Sequence, residues 1–253
     1  MTGGAIRYGG SKGIIRTCTF AGNHATAGGG LDNDGTVTIT NCTFSANSSG
    51  NGGGIFNNGT ATLRNSIIAG NTAGSTGPDC SGAFISGGYN LIGQSNGSTG
   101  WGALGDQVGT SMSPINPMLG SLKDNGGPTF TMAPLPPNSP VIDQGQSSGL
   151  TTDQRGAPRP FDFPSIPNAP GGDGSDIGAF ELGKPFMGML RLTNHIVLAW
   201  PAYYGEFTLQ SSTNLATSKN WRTVPTTPVL VGNQFNVTDG ATNGTKFYRL
   251  TFP

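Results

Sequence analysis

Charge is what this 253-residue chain has least of. Lys, Arg, Asp and Glu make up 10% of it, against roughly 25% in ordinary globular proteins. Thirteen cations and thirteen anions leave a formal net charge of zero. So few charges cannot coat long helices, coiled coils or a basic nucleic-acid surface, and steering by the whole molecule is absent. Nucleic acid is therefore not an expected partner. No apolar run approaches the ~20 residues that cross a bilayer, so no membrane span is expected. Met1-Thr2-Gly3-Gly4 lacks the charged start and apolar core of a secretory signal. Cysteine is scarce as well: Cys18, Cys42 and Cys80 are odd in number and set no disulfide framework. Only His24 and His195 offer an imidazole.

Glycine is in excess, with 43 residues in a chain whose length would ordinarily carry roughly 7%. No every-third-residue pattern supports collagen. Recurring apolar residues without net charge exclude charged disorder. What remains is an all-β chain with many tight turns.

The first 75 residues repeat every 24. Residues 28–44 recur position by position as 52–68, an earlier and slightly longer copy runs from Gly3 to Phe20, and Asn23, Asn47 and Asn71 close the three copies. Val37, Ile39, Cys42 and Phe44 alternate with polar neighbours in strand fashion, and Asn or Gly marks each joint. Two or three short strands per 24 residues fit one coil of a parallel β-helix. Stacking coils about 4.8 Å apart would align Leu31/Ile55, Val37/Ala61, Ile39/Leu63 and Phe44/Ile68 as inward columns. Gly35, Gly59 and the triple-glycine runs are expected at positive-φ corners, and corner asparagines are expected to bond between coils. From Pro78 the period is lost. Tyr89-Asn90-Leu91-Ile92, Val141-Ile142-Asp143 and Ile177-Gly178-Ala179-Phe180 read as strands of final coils with long side loops and a cap.

Several motifs of this region resemble one family in order. They are Gly88-Tyr89-Asn90-Leu91-Ile92-Gly93, Asn116-Pro117-Met118-Leu119-Gly120, Asp124-Asn125-Gly126-Gly127-Pro128-Thr129, Ser139-Pro140-Val141-Ile142-Asp143-Gln144-Gly145, Asp153-Gln154-Arg155-Gly156, Arg159-Pro160 and Asp176-Ile177-Gly178-Ala179-Phe180-Glu181. The resemblance is to bacterial right-handed parallel β-helix repeat proteins with a choice-of-anchor Q-like C-terminal region. It implies a large exported protein, with further coils and an export signal upstream, and an extracellular or cell-surface location. Residues 184–253 differ: glycine thins, aromatics appear, and turns fall every 8 to 12 residues, as in a small sandwich. Phe207 to Leu215, with Trp221 and Phe247-Tyr248-Arg249-Leu250, resembles a fibronectin-III-like module of exported bacterial proteins. The expected fold is all-β, a right-handed parallel β-helix followed by a small antiparallel β-sandwich. Its parts are regular coils at 1–75, irregular coils, loops and cap at 76–183, and the sandwich at 184–253.

The candidate chemistry is thin. Asp32 and Asp34, the carboxylates of the regular coils, flank Asn33 beside a glycine turn and read as turn residues rather than as a facing catalytic pair. Gly93-Gln94-Ser95-Asn96-Gly97 matches G-x-S-x-G, but residues 96–100 cannot begin the helix that presents a nucleophile, so it reads as a loop. Cys18 and Cys42 are stacked equivalents whose Cβ atoms would lie too far apart for a good disulfide, so buried free thiols are expected. The acidic group Asp162, Asp173, Asp176 and Glu181 near the cap is a candidate calcium site, with Asp173 and Asp176 as the leading ligands. The favoured alternative pairs Asp153, Asp173 or Asp176 with Arg155 and Arg159 to fasten a long loop. Asp153, Arg155 and Arg159 are also candidate ligand contacts. Thr36 and Thr38 over Thr60 and Thr62 form an outward array that could suit ice, though two rungs read better as ordinary strand surface. Trp200 is in phase with Ile196 and Leu198 and belongs to the core, whereas Tyr203 and Tyr204 follow Pro201 in an expected loop and are candidate sugar contacts.

The expected function is that of an exported or cell-surface β-solenoid module with a structural, adhesive or polysaccharide-binding role. The rival is a polysaccharide lyase, glycoside hydrolase or other extracellular hydrolase with its site on loops 78–170. Polysaccharide or a cell-surface component is the expected partner. The open N-terminal coil is expected to favour self-association.

Overall fold

The computed structural model describes residues 4–136, 138–164, 166–204, 207–215, 220–232, 234–240 and 244–251, except for the side chain of Tyr203. Among these residues the structure is all-β, with one short 3-10 turn at Ala202–Tyr204. The chain divides into two compact units, Met1–Gly183 and Lys184–Pro253.

The first unit is a parallel β-solenoid of about four coils. The first coil holds β1 (Ile6–Tyr8), β2 (Gly13–Arg16) and β3 (Thr19–Ala21), and the second β4 (Leu31–Asn33), β5 (Thr36–Thr40), β6 (Thr43–Ser45) and β7 (Ser48–Asn51). The third holds β8 (Ile55–Arg64), β9 (Ile67–Ile68) and β10 (Thr72–Thr76), and the fourth β11 (Cys80–Ser86) and β12 (Leu91–Ile92). β13 (Ser98–Thr99) and β14 (Gln107–Val108) begin a partial fifth. A seven-stranded sheet orders β1-β4-β8-β11-β13, with β2-β5-β8 beside it. β14-β12-β9-β6-β3 form the opposite five-stranded sheet, and β10-β7 a short third one.

Register follows the 24-residue period through Leu31↔Ile55, Val37↔Ala61, Ile39↔Leu63 and Phe44↔Ile68. All eight side chains are buried in one core. Phe20 and Phe44 stack with ring centroids 4.5 Å apart, which is the coil spacing itself. The fourth coil keeps this register although its sequence period is broken. The pairs Cys80↔Ile55, Phe84↔Ala61 and Leu91↔Ile67 have offsets of 25, 23 and 24 residues, so a lengthened and a shortened corner cancel. Trp101 stacks on Phe84 at 5.0 Å and covers the last inner layer.

The corners sort into two kinds. Gly28 and Gly52 adopt positive φ, whereas the column Thr17, Asn41, Asn65 and Tyr89 does so without glycine, at φ between 47° and 57°. Gly35 and Gly59, expected at positive φ, are not. A Cβ there would lie 2.2 Å from Gly10 O and 2.1 Å from Gly35 O, so close backbone approach between coils is what demands glycine.

Asparagine side chains tie the coils together. Asn23 Nδ2 donates to Asn47 Oδ1 at 2.9 Å, Asn47 Nδ2 to Asn71 Oδ1 at 2.9 Å, and Asn71 Nδ2 to Asp79 Oδ1 at 2.9 Å. The same oxygens also accept the backbone N–H of Asn23, Asn47 and Asn71. A second ladder runs from Cys42 N to Ser66 Oγ, from Ser66 N to Asn90 Oδ1, and from Asn90 to Asp106 Oδ1.

Residues 139–182 do not extend the stack. The stretches 141–143 and 177–180, expected as strands, are turns and bends that lie on the outer flank of the five-stranded sheet. Thr19, Asn41, Thr43, Asn65 and Tyr89 each hydrogen-bond this segment, which therefore passes every coil in turn. The reason lies in the flank: Ile67 and Leu91 face outward, and Val141 and Ile177 pack with them into a second apolar cluster.

The second unit contains two antiparallel sheets in a sandwich-like arrangement. β15 (Gly188–Arg191), β16 (His195–Pro201), β20 (Gln234–Gly240) and β19 (Val229–Val231) form the first; β18 (Arg222–Thr223), β17 (Thr208–Ser212) and β21 (Phe247–Thr251) form the second. Alternation in β16 buries Ile196, Leu198 and Trp200, so Trp200 is a core residue.

Asn47→Ala would leave the half-buried Asn23 N–H and Phe20 carbonyl without these partners. The expected cost is about 1–3 kcal/mol per orphaned group, measured by chemical denaturation. The exposed Thr60→Ala should lie within roughly 0.5 kcal/mol of the parent.

Candidate functional site

Strand alternation builds one solvent-facing groove. Val37 and Ile39 point inward, so Thr36, Thr38 and Thr40 of β5 point outward. Register places Ile14 and Arg16 of β2 on one side of them and Thr62 and Arg64 of β8 on the other. Lys12 precedes β2 on the same face. The 148–150 loop forms a wall, enclosing about 310 Å³. The lining contains no carboxylate, imidazole or thiol. Among the described residues Lys12, Arg16 and Arg64 make no ion pair. The Arg64 guanidinium donates to Gln146 Oε1, and its Nε is buried without a partner.

Asp173, a calcium candidate, anchors this wall. Its oxygens accept Ser147 N at 3.0 Å and Ser147 Oγ at 2.5 Å, while Asn41 Nδ2 donates to Ser147 O. Burial pushes the Asp173 carboxyl up, but the Ser147 and Ser175 hydrogen bonds together outweigh it and hold the group below the usual carboxylate range. Asp176, the other candidate, is fully buried, with Oδ1 accepting Asp143 N at 3.0 Å and Oδ2 Leu182 N at 2.6 Å. The two carboxylates thus serve different backbone segments. Among the described residues no three His, Cys, Asp or Glu side chains converge as a metal set.

Asp153, Arg155 and Arg159 belong to an internal clasp. Asp153 Oδ1 accepts Arg155 N and Ala157 N, and Oδ2 accepts Arg155 Nε at 2.8 Å and Glu181 N at 3.0 Å. The Arg155 guanidinium also lies 3.5 Å from the Phe180 ring centre. The acid that pairs with Arg159 is Glu181, at 2.7 Å, rather than Asp153, Asp173 or Asp176, and Arg159 further donates to the Gly178 and Phe180 carbonyls. Both members of that pair are inaccessible. Fastening a loop is what these residues do here. Sequence spacing does not pair Glu181 with Arg159, because the turn at 176–181 sets that pairing.

Carboxylates face solvent-side depressions or turns at two other places. Arg7, one coil from Asp32, reaches both acids of the glycine turn, with Nε 3.6 Å from Asp32 and a terminal nitrogen 3.2 Å from Asp34. The turn itself is held by Asn33, whose Oδ1 accepts Gly35 N, so the role expected of the aspartates falls to their neighbour. Burial, then the nearby Asp34 charge, raises the Asp32 carboxyl. On the far side a depression of about 430 Å³ holds Asp106, but that carboxylate already accepts Asn90 N, Gly102 N, Ala103 N and Ser86 Oγ. Ser95 donates to Gly109 O and no helix follows it. Tyr204, expected in an exposed loop, is buried edge-on against Phe207 at 5.5 Å, since the 3-10 turn rotates it inward; the Tyr203 side chain lies outside the described residues.

All three cysteines are free thiols, with Cys42 and Cys80 buried and Cys18 half-exposed. A hydrogen bond from the stacked Cys42 thiol, with help from the Arg16 backbone against the burial penalty, holds Cys18 near 7. Burial pushes Cys80 up to about 12 and Cys42 well above the ordinary value.

Comparison with protein-family models, with curated proteins and with solved structures finds no match to this chain.

Alkylation of Cys18 should follow an apparent pKa near 7, with Cys42 and Cys80 unlabelled in the folded protein, as mass spectrometry of a pH series would show. Equal labelling of all three would contradict the burial. A second outcome concerns Asp143, whose carboxyl is pushed up to about 7 by burial, opposed by the Phe163 N–H and reinforced by Asp162 and Glu181. Its folded pKa exceeds the ordinary 3.8, so the folded state holds the extra proton and this contribution is lost as pH rises from there to about 7. Asp143→Asn should therefore narrow the gap in melting temperature between mildly acidic and neutral buffer. An unchanged gap would assign the titration to Asp176 or Glu181.

Proposed function

We propose that this chain is an exported or cell-surface β-solenoid module that holds polysaccharide rather than cleaving it. The observation that carries the reading is the groove over β2, β5 and β8, which combines threonine hydroxyls with three cations and contains no acid, imidazole or thiol. Cleaving a glycosidic bond by acid–base chemistry ordinarily uses a pair of carboxylates, and this lining holds neither a carboxylate nor an imidazole. Hydroxyls and fixed cations supply orientation and affinity instead. Resemblance of residues 3–182 to the choice-of-anchor Q group and of 207–250 to fibronectin-III-like modules supports export and a surface role.

A lyase or hydrolase reading has one supporting feature, the Arg7–Asp32–Asp34 cluster at the edge of the seven-stranded sheet. The two readings separate in a single experiment. A panel of neutral and acidic polysaccharides is offered to the protein, and both retention and chain length are measured. Retention without shortening is the expected outcome. Shortening that Asp32→Asn abolishes would establish the enzyme, and no retention of any polysaccharide would remove the binding role.

A further inference from the structure

Resting on that polysaccharide-binding reading, we propose that the ligand is a polyanionic polysaccharide, one that repeats carboxylate or sulfate groups along its length, seated across β2, β5 and β8. The argument starts from where the cations are. Residues 1–183 contain seven Lys and Arg against eleven Asp and Glu, so the unit as a whole is acidic. Arg7, Arg155 and Arg159 are paired with carboxylates. Lys123 stands on an exposed loop. The other three, Lys12, Arg16 and Arg64, line one groove in which no carboxylate answers them. In a chain this poor in charge, three unpaired cations around one depression amount to a local field of one sign on an acidic background.

Their spacing is set by the fold. Arg16, Thr40 and Arg64 stand in one column, so the two arginines are two coils, about 10 Å, apart. Lys12 lies four residues from Arg16 along the strand, about 13 Å away. The cations therefore mark three corners of a patch with Thr36, Thr38 and Thr40 between them, and Ile14, 57% exposed, supplies an apolar floor. This suits a chain of sugar rings whose CH faces rest on Ile14, whose hydroxyls meet threonines and whose anionic substituents fall at the corners. Guanidinium groups match carboxylate and sulfate oxygens with paired hydrogen bonds. Nucleic acid would offer anions too, but no aromatic ring lines the groove to stack a base.

The test compares four probes on the whole chain: dextran, dextran sulfate, polygalacturonate and a single-stranded oligonucleotide. Dextran sulfate and polygalacturonate should bind at least about tenfold more tightly than dextran and weaken as salt rises. The double variant K12Q/R16Q should lose at least about tenfold in affinity for them, while K123Q/K184Q, the same loss of two charges at exposed positions elsewhere, stays within about twofold. Thr38→Trp, which fills the groove and leaves every charge in place, should also abolish binding and covers the case of a misfolded double variant. Dextran bound as tightly as dextran sulfate would overturn this inference and leave the polysaccharide role standing. Failure of every polysaccharide would overturn both. Oligonucleotide bound as tightly as polygalacturonate, or binding unchanged in both groove variants, would overturn the inference as well.

Discussion

A parallel solenoid sets each side chain directly above its counterpart, about 4.8 Å away, and that spacing governs which residues a coil can repeat. Apolar groups gain from it, as Phe20 on Phe44 and Leu31 on Ile55 do. Like charges do not, because a column of carboxylates or ammonium groups at this distance repels itself. Asparagine escapes the conflict, since its amide donates and accepts at once. Each amide can give a hydrogen bond to the next coil and take one from the last, so the column grows without an unsatisfied atom. It must still end somewhere. The two ladders end on Asp79 and Asp106, carboxylates that accept without needing to donate. The low charge of the coils is in keeping with this stacking, and Asp79 and Asp106 stand where a column stops.

The flank imposes a second requirement. A coil strand buries alternate residues, yet β9 and β12 are apolar at both positions. Ile68 and Ile92 face the solenoid core, while Ile67 and Leu91 face outward and need cover from elsewhere. The 139–182 segment supplies it through Val141 and Ile177, and its irregular backbone satisfies the corner carbonyls and amides as it passes. Holding that segment in turns rather than strands requires acceptors for its own N–H groups. Asp143, Asp153, Asp173, Asp176 and Glu181 provide them, with Arg155 and Arg159 compensating part of the buried charge.

The period made most of the solenoid legible. Columns from Leu31 to Ile68 and the asparagine ladder follow from the 24-residue offset alone, because translation along the axis is the one operation that relates coils. Where coils change length the offset is hidden: the fourth coil is in register, but its offsets of 25 and 23 interrupt the pattern that self-comparison detects. The 139–182 segment is harder to read. Val141 and Ile177 look like strand residues locally, and only the consecutive apolar pairs Ile67-Ile68 and Leu91-Ile92 signal a covered outer face. The candidate acids and arginines of this segment are legible as a group, but Glu181 as the partner of Arg159 depends on a three-dimensional turn. The groove is not legible in sequence because Arg64 stands two coils from Lys12 and Arg16, and each taken alone is an ordinary surface cation.

Shifted carboxylates are often the mark of an active site, and here the architecture by itself accounts for the shifts. Asp79, Asp143, Asp176 and Glu181 all have raised pKa values, burial being the first cause for each. Each also accepts backbone N–H groups that would otherwise be orphaned. Replacing any of them would loosen the fold before it removed a reaction. The groups left over from this structural work are few, and those that gather at one solvent-facing place are cations. In a scaffold where most acids are committed to its own backbone, Lys12, Arg16 and Arg64 stand out as cations that no carboxylate meets, and the proposed binding role rests on that asymmetry.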